Sequence, residues 1–176
     1  MINSKRRGFF TSVLTLSNNK KNQDKKRVYP PYCSDESLIL NLCPNCQDKP
    51  CANVCEEEII FIDKNGVPTL NFKERGCTFC EACADACESS VLNDKTLTFI
   101  NATVEIDLLK CIAWHQVMCS SCKEPCLEDA IKFLGLFRPE IDSSKCTACG
   151  WCKSVCPTEA INIKGTLNIT VKKSKK

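Results

Sequence analysis

Sixteen of the seventeen cysteines in this chain fall into four tight groups, and no other feature constrains its folding as strongly. The groups are Cys43, Cys46, Cys51 and Cys55; Cys77, Cys80, Cys83 and Cys87; Cys111, Cys119, Cys122 and Cys126; and Cys146, Cys149, Cys152 and Cys156. Four thiols per group, mostly two or three residues apart, are too close along the chain for spread cross-links. They read as ligands that converge on a shared inorganic body.

The second and fourth groups read C-x2-C-x2-C-x3-C without interruption, and the fourth continues into Pro157. That run holds [4Fe-4S] clusters: its first three thiolates reach one cluster, and its fourth ligates the neighbouring cluster, so runs work in pairs. Residues between the ligands are often small, as with Ala82, Ala84, Ala148 and Gly150, which lets backbone N–H groups approach the sulfurs. Four runs predict four [4Fe-4S] clusters in two pairs, with a short helix opening at each fourth cysteine.

Two runs are irregular. In the first, Gln47 to Pro50 lengthen the second spacer to four residues. In the third, Cys119, Cys122 and Cys126 keep the regular spacing, but Gln116 occupies the place of the first ligand and the nearest cysteine upstream is Cys111. Either a loop through Trp114 and His115 returns Cys111 to the site, or the site is labile and three clusters remain. After the fourth cysteine, Leu127 to Ile131 echo Pro157 to Ile161.

Two other uses of cysteine are disfavoured. A disulfide framework belongs to small secreted chains with dispersed cysteines. Zinc ribbons separate two C-x2-C pairs by a dozen or more residues, whereas a regular run here is complete within eleven. Cys33 stands alone and reads as a thiol outside the ligand sets.

Charge is segregated. Residues 1–27 carry eight Lys or Arg against one Asp, and Lys172 to Lys176 add four Lys; removing these +7 and +4 from the overall +3 leaves −8 for residues 28–171. An acidic body suits encounter with a basic redox partner. The basic flanks lack interleaved aromatics, so nucleic acid is not an expected partner. Ser4-Lys5-Arg6-Arg7-Gly8-Phe9-Phe10 resembles a twin-arginine signal, but Thr11 to Ser17 hold only three apolar residues and a polar stretch follows, with no cleavage motif. No segment approaches the roughly 20 apolar residues of a membrane span. A cytoplasmic protein is expected, which also suits exposed thiols.

Between the runs the pattern is short strands and tight turns. Ile59 to Asp63 and Val67 to Phe72 flank Lys64-Asn65-Gly66, a hairpin signal. Thr96 to Ile106 is rich in β-formers, and Ala160 to Ile163 with Thr166 to Val171 are expected to form a last hairpin. The fold class is α+β, with tandem bacterial-ferredoxin-like units over residues 28–105 and 106–171, a basic arm over 1–27 and a basic tail over 172–176. Spacing leaves open whether the runs pair first with second and third with fourth, or first with fourth and second with third.

No catalytic constellation is present. His115 is the only histidine and lies inside the third run, where a local structural role is expected; Trp114 and Trp151 are read as rings that shield clusters from water. No glycine-rich nucleotide loop occurs. The chain is expected to carry electrons and not to be an enzyme.

The ordered set of motifs resembles the NapF family, ferredoxin-type accessory proteins of periplasmic nitrate reductase systems. The likeness covers Lys5-Arg6-Arg7-Gly8, the segment from Pro30 to Ser37, the stretch from Gly66 to Cys87, and the seven residues between Cys111 and Cys119. Departures are the four-residue spacer of the first run, the absence of proline after Cys55, Cys87 and Cys126, and the Lys-rich ends. The resemblance implies a cytoplasmic protein that binds the catalytic subunit of periplasmic nitrate reductase before export and assists its maturation, by electron delivery or by cluster assembly. The alternatives are an electron-carrier subunit of a larger oxidoreductase, or a metal-stabilised export-chaperone module. The redox donor is not indicated.

Overall fold

A computed structural model describes residues 27–166; the twin-arginine-like opening, the basic arm up to residue 26 and the tail over 172–176 lie outside them. Helix α1 spans Glu36–Leu42 and α2 Pro50–Asn53; strands β1 (Ile60–Ile62) and β2 (Pro68–Leu70) precede α3 (Ala82–Asp85) and β3 (Ala102–Ile106). Strands β4 (Ile131–Phe133) and β5 (Pro139–Ile141) are followed by α4 (Trp151–Ser154) and β6 (Ile161–Gly165). The strands form three antiparallel pairs, β1 with β2, β4 with β5, and β3 with β6.

One turn recurs after every run. Three residues beyond each fourth cysteine, Glu58, Ser90, Asp129 and Glu159 adopt positive φ of 52°, 52°, 45° and 50°. The N–H of each donates to the carbonyl of its cysteine, at 2.9, 3.0, 3.1 and 3.2 Å. Two buried apolar residues then follow in every case: Ile59 and Ile60, Val91 and Leu92, Ala130 and Ile131, Ala160 and Ile161. The left-handed turn costs energy at a non-glycine residue, so its fourfold use marks a place where the chain must reverse sharply from ligand to core.

The short helices fall before the fourth cysteines and not after them, which corrects the expectation at Thr158 to Ile161. Helices α2, α3 and α4 contain Cys51, Cys83 and Cys152, each entered through a left-handed residue, Lys49, Glu81 or Gly150. The spacing explains it: C-x3-C is one helical turn, and beyond it the chain needs the tight reversal just described.

Strands β1 and β2 pair Ile60 with Leu70, and β4 and β5 pair Ile131 with Ile141; each second strand begins with proline, at Pro68 and Pro139. Proline is tolerated at the first residue of a strand, where no ladder donor is lost. In the first loop, Gly66 takes φ +75°. The side chain of Asp63 accepts from the N–H groups of Asn65 (2.8 Å) and Val67 (2.9 Å) and faces the Arg27 guanidinium at 3.0 Å. Strand β6 takes β3 as its partner, with Val104 opposite Ile163 and Ala102 opposite Gly165. Gly165, the expected turn residue, lies inside this ladder, and the expected partner strand falls at residues 167–171, outside the described ones.

The main apolar core joins Tyr32, Ile39, Ile59, Val67, Phe72, Val91, Leu92 and Ile100, and takes in Ala148 from the carboxyl-terminal half. A smaller core holds Cys122, Ile131, Cys152 and Ile161. Helix α1, not anticipated, is capped by Asp35, which accepts from Ser37 N–H at 2.8 Å, and it buries Ile39 alone. Seven residues with one buried side chain carry too little periodicity to be read from sequence.

The bonds to Asp63 hold its carboxyl below the ordinary carboxylate range, the backbone N–H of Val67 contributing most. A pKa lowered by folding adds stability above the ordinary value of about 3.9 and loses it as pH falls through the folded-state value. Asp63→Asn is expected to cost about 1 kcal/mol at pH 7. Denaturant unfolding of the anaerobically purified chain checks this, and the gap to the unsubstituted chain should narrow only below about pH 4.

Candidate metal centres

The fourth cysteine of each run turns away from its own three and faces those of another run. Cys43 feels the charges of Cys51, Cys87 and Cys46, and Cys51 those of Cys87 and Cys46. Cys77, Cys80 and Cys83 line one cavity together with Cys55. Cys119, Cys122 and Cys111 line another with Cys156. Cys146, Cys149 and Cys152 line a third with Cys126. The crossing follows from the shared geometry: the helical turn carries the fourth thiol one step beyond its run, and the recurrent left-handed turn fixes it there.

The displaced Cys111 is returned by a folded loop. Its N–H donates to Asp107 O at 2.9 Å, a 3-10 turn covers Ile112–His115, and Gln116 adopts φ 63°. Val117 N–H closes the loop onto Ile112 O at 3.1 Å. His115 Nε2 lies 3.1 Å from Leu109 O, the local role expected of it. Trp114 donates from Nε1 to Pro139 O at 3.3 Å, with the Arg138 guanidinium 5.7 Å from the ring centroid, so it pins the loop to the start of β5. After burial itself, the neighbouring Cys111 thiol does most to push the Cys122 thiol up. Trp151 lines the cavity of the fourth run.

Burial pushes these thiols up, with neighbouring thiolates adding to it: Cys43, Cys77 and Cys122 to about 11, and Cys83 and Cys152 to about 12. Left to themselves they stay neutral at pH 7. A cationic iron core reverses that preference, because ligand thiols bind as thiolates and the metal charge holds them so. Backbone donors are already aimed at sulfur: Phe79 N–H at Cys77 Sγ (3.4 Å), Ala130 N–H at Cys126 Sγ (3.3 Å) and Ala160 N–H at Cys156 Sγ (3.3 Å). Thiols spread around cavities suit a polynuclear body better than zinc.

A further group was missed in the sequence. Tyr32 is 1% exposed and lines the cavity of Cys55, Cys77, Cys80 and Cys83; the Glu81 backbone N–H is directed at its oxygen, but among the described residues its O–H finds no acceptor. A buried O–H without an acceptor is costly, and cluster sulfur would accept that hydrogen bond. The donor set and this hydroxyl therefore fit an iron-sulfur cluster. No spacing rule singles out Tyr32; only its adoption of φ 70° ahead of the first run turns it inward. Cys33 donates to Asp35 O at 3.1 Å, close enough to the first run to feel Cys87 but engaged elsewhere.

Comparison with known proteins agrees with this chemistry. Residues 139–162 match the family of the 4Fe-4S binding domain, which makes this an iron-sulfur protein of the ferredoxin type. The chain is 33% identical over 164 residues to ferredoxin-type protein NapF of Escherichia coli K12, covering 91% of this chain and 94% of that one. It is 30% identical over 161 residues to ferredoxin-type protein NapF of Haemophilus influenzae, covering 89% of each. It belongs to the NapF family. A more distant likeness, 25% over 162 residues, links it to ferredoxin-type protein NapG of Escherichia coli K12, covering 78% of this chain and 69% of that one.

Tyr32→Phe removes one hydroxyl and keeps the ring. A donor to cluster sulfur favours the more negative reduced state, so its loss is expected to lower the potential of one centre while iron content stays constant. Potentiometric titration followed by electron paramagnetic resonance checks this; unchanged potentials throughout would refute the hydroxyl's role.

Proposed function

We propose that the chain is a four-cluster electron-transfer protein that serves the maturation of a periplasmic nitrate reductase. It is built as two ferredoxin-like units, residues 28–105 and 106–171, flanked by a basic arm (1–27) and a basic tail (172–176). The observation that carries this reading is the crossing of the fourth cysteines. It supports four ligand sets: Cys43, Cys46, Cys51 with Cys87; Cys77, Cys80, Cys83 with Cys55; Cys111, Cys119, Cys122 with Cys156; and Cys146, Cys149, Cys152 with Cys126. Runs then pair first with second and third with fourth, and Cys111 completes the third set.

A [4Fe-4S] cluster supplies a one-electron store whose potential follows from sulfur hydrogen bonds, net charge and exposure. The chain's own part is to gather the thiols, exclude water with Trp151 and the paired apolar residues after each run, and direct N–H and O–H groups at sulfur. Those donors offset the charge that builds on sulfur when an electron arrives. This reading makes the chain an accessory electron carrier.

Family membership and the NapF relatives support the partner: the catalytic subunit of periplasmic nitrate reductase, bound in the cytoplasm before export. Electrons or a preassembled cluster would be passed to it there. The acidic body favours fast encounter with a basic patch on that partner.

Iron and sulfide analysis tests the sites. The anaerobically purified chain is expected to hold about 16 of each, and Cys111→Ser about 12. Equal iron in both would remove Cys111 from the ligands, and zinc in place of iron would overturn the reading. An anaerobic pull-down tests the partner. Retention of the unexported precursor, but not of the mature periplasmic subunit, is expected; recovery of other redox subunits alone would shift the function to a general electron carrier.

A further inference from the structure

We propose that the contact between the two halves is an electron-transfer junction, so that the four sites connect in the order first, second, fourth, third run. The inference rests on the ligand sets proposed above.

The second and fourth runs touch through their own ligand loops. Cys77 N–H donates to Cys149 O at 2.7 Å, a direct backbone bond between two ligand residues of different halves. Ile100 N–H donates to Thr147 O at 2.9 Å beside it. Cys77, Thr78 and Phe79 line the same cavity as Cys126, Cys146, Cys149 and Cys152, so the two sites share a wall.

Two glycines allow this approach. A Cβ on Gly76 would sit 2.5 Å from the Trp151 ring and 2.6 Å from the Trp151 backbone nitrogen. A Cβ on Gly150 would sit 2.2 Å from the Phe72 ring, at a residue already holding φ +89°. Each half thus inserts a ring against a glycine of the other, immediately next to a ligand run. Such close approach of two backbones is what an absent side chain permits.

Among the described residues, the thiols that act most on one member of each outer site all belong to its own half. The thiols acting most on Cys43 are Cys51, Cys87, Cys46 and Cys33, and those acting most on Cys122 are Cys111, Cys119 and Cys156. Tunnelling rates fall steeply with separation, so exchange between halves runs through the second and fourth sites. One electron leaves a reduced centre and enters an oxidised one, with no bond made or broken and no proton required. It is supplied by a low-potential one-electron reductant, such as a reduced viologen.

The test isolates the two inner sites. A chain carrying Cys43→Ser, Cys46→Ser, Cys111→Ser and Cys119→Ser, fully reduced by viologen, is expected to keep about 8 iron and to show a spin-coupled resonance spectrum from two neighbouring centres. Two independent, uncoupled signals would overturn the junction while leaving the ligand sets standing. Iron far from about 16 in the unsubstituted chain would count against the ligand sets themselves. Gly76→Ala added to the four-serine chain should weaken the coupling without changing iron content.

If the four-serine chain does not fold, hydrogen exchange in the unsubstituted anaerobic protein decides. The peptide from Gly76 to Phe79 is expected to exchange slowly because the Cys77 amide is held at the contact. Exchange of that amide at the rate of an unstructured peptide would overturn the proposal.

Discussion

The gathering of thiols that repel one another as thiolates is the constraint on which the rest of this molecule depends. Burial and mutual charge push Cys83 and Cys152 to about 12, so the polypeptide alone disfavours the state in which these groups bind metal. The compensation lies in cluster charge and in donors aimed at sulfur. The smaller core joins two cysteines to Ile131 and Ile161, so its apolar packing and its ligands are inseparable. In such a protein metal binding is folding free energy.

The same constraint accounts for strain. A non-glycine residue in the left-handed region after every fourth cysteine is a repeated cost, accepted because one helical turn must be followed at once by reversal into a buried apolar pair. The loop of the third run shows how the architecture tolerates a displaced ligand. A 3-10 turn, a left-handed Gln116 and the pinning of Trp114 to Pro139 bring Cys111 beside Cys122 without altering the turn after Cys126.

Membership of the NapF family and the 4Fe-4S domain place the chain among ferredoxin-type iron-sulfur proteins. The proposed role beside nitrate reductase and the proposed junction between halves are linked through one idea. A carrier that passes single electrons to a partner benefits from several stores joined at short range, and glycines at the interface keep the range short. Fold and cofactor are shared by many redox roles, so the partner is decided by surface recognition and not by the cluster sites.

Cysteine spacing pointed to [4Fe-4S] ligation and the Asn-Gly turn to the first hairpin, because both are local requirements written in consecutive residues. The echo of Leu127 to Ile131 in Pro157 to Ile161 was also legible, and both segments lead through the same turn into strands. Spacing could not say which run faces which, whether Cys111 returns, or that Tyr32 turns its hydroxyl toward the second run. It misplaced the short helices and did not foresee β3 as a partner of β6, since a five-residue strand carries no mark of a mate nearly sixty residues away. Those matters were decided by tertiary structure: contacts between distant segments depend on how the chain closes upon itself, and a local pattern does not encode the far side of a contact.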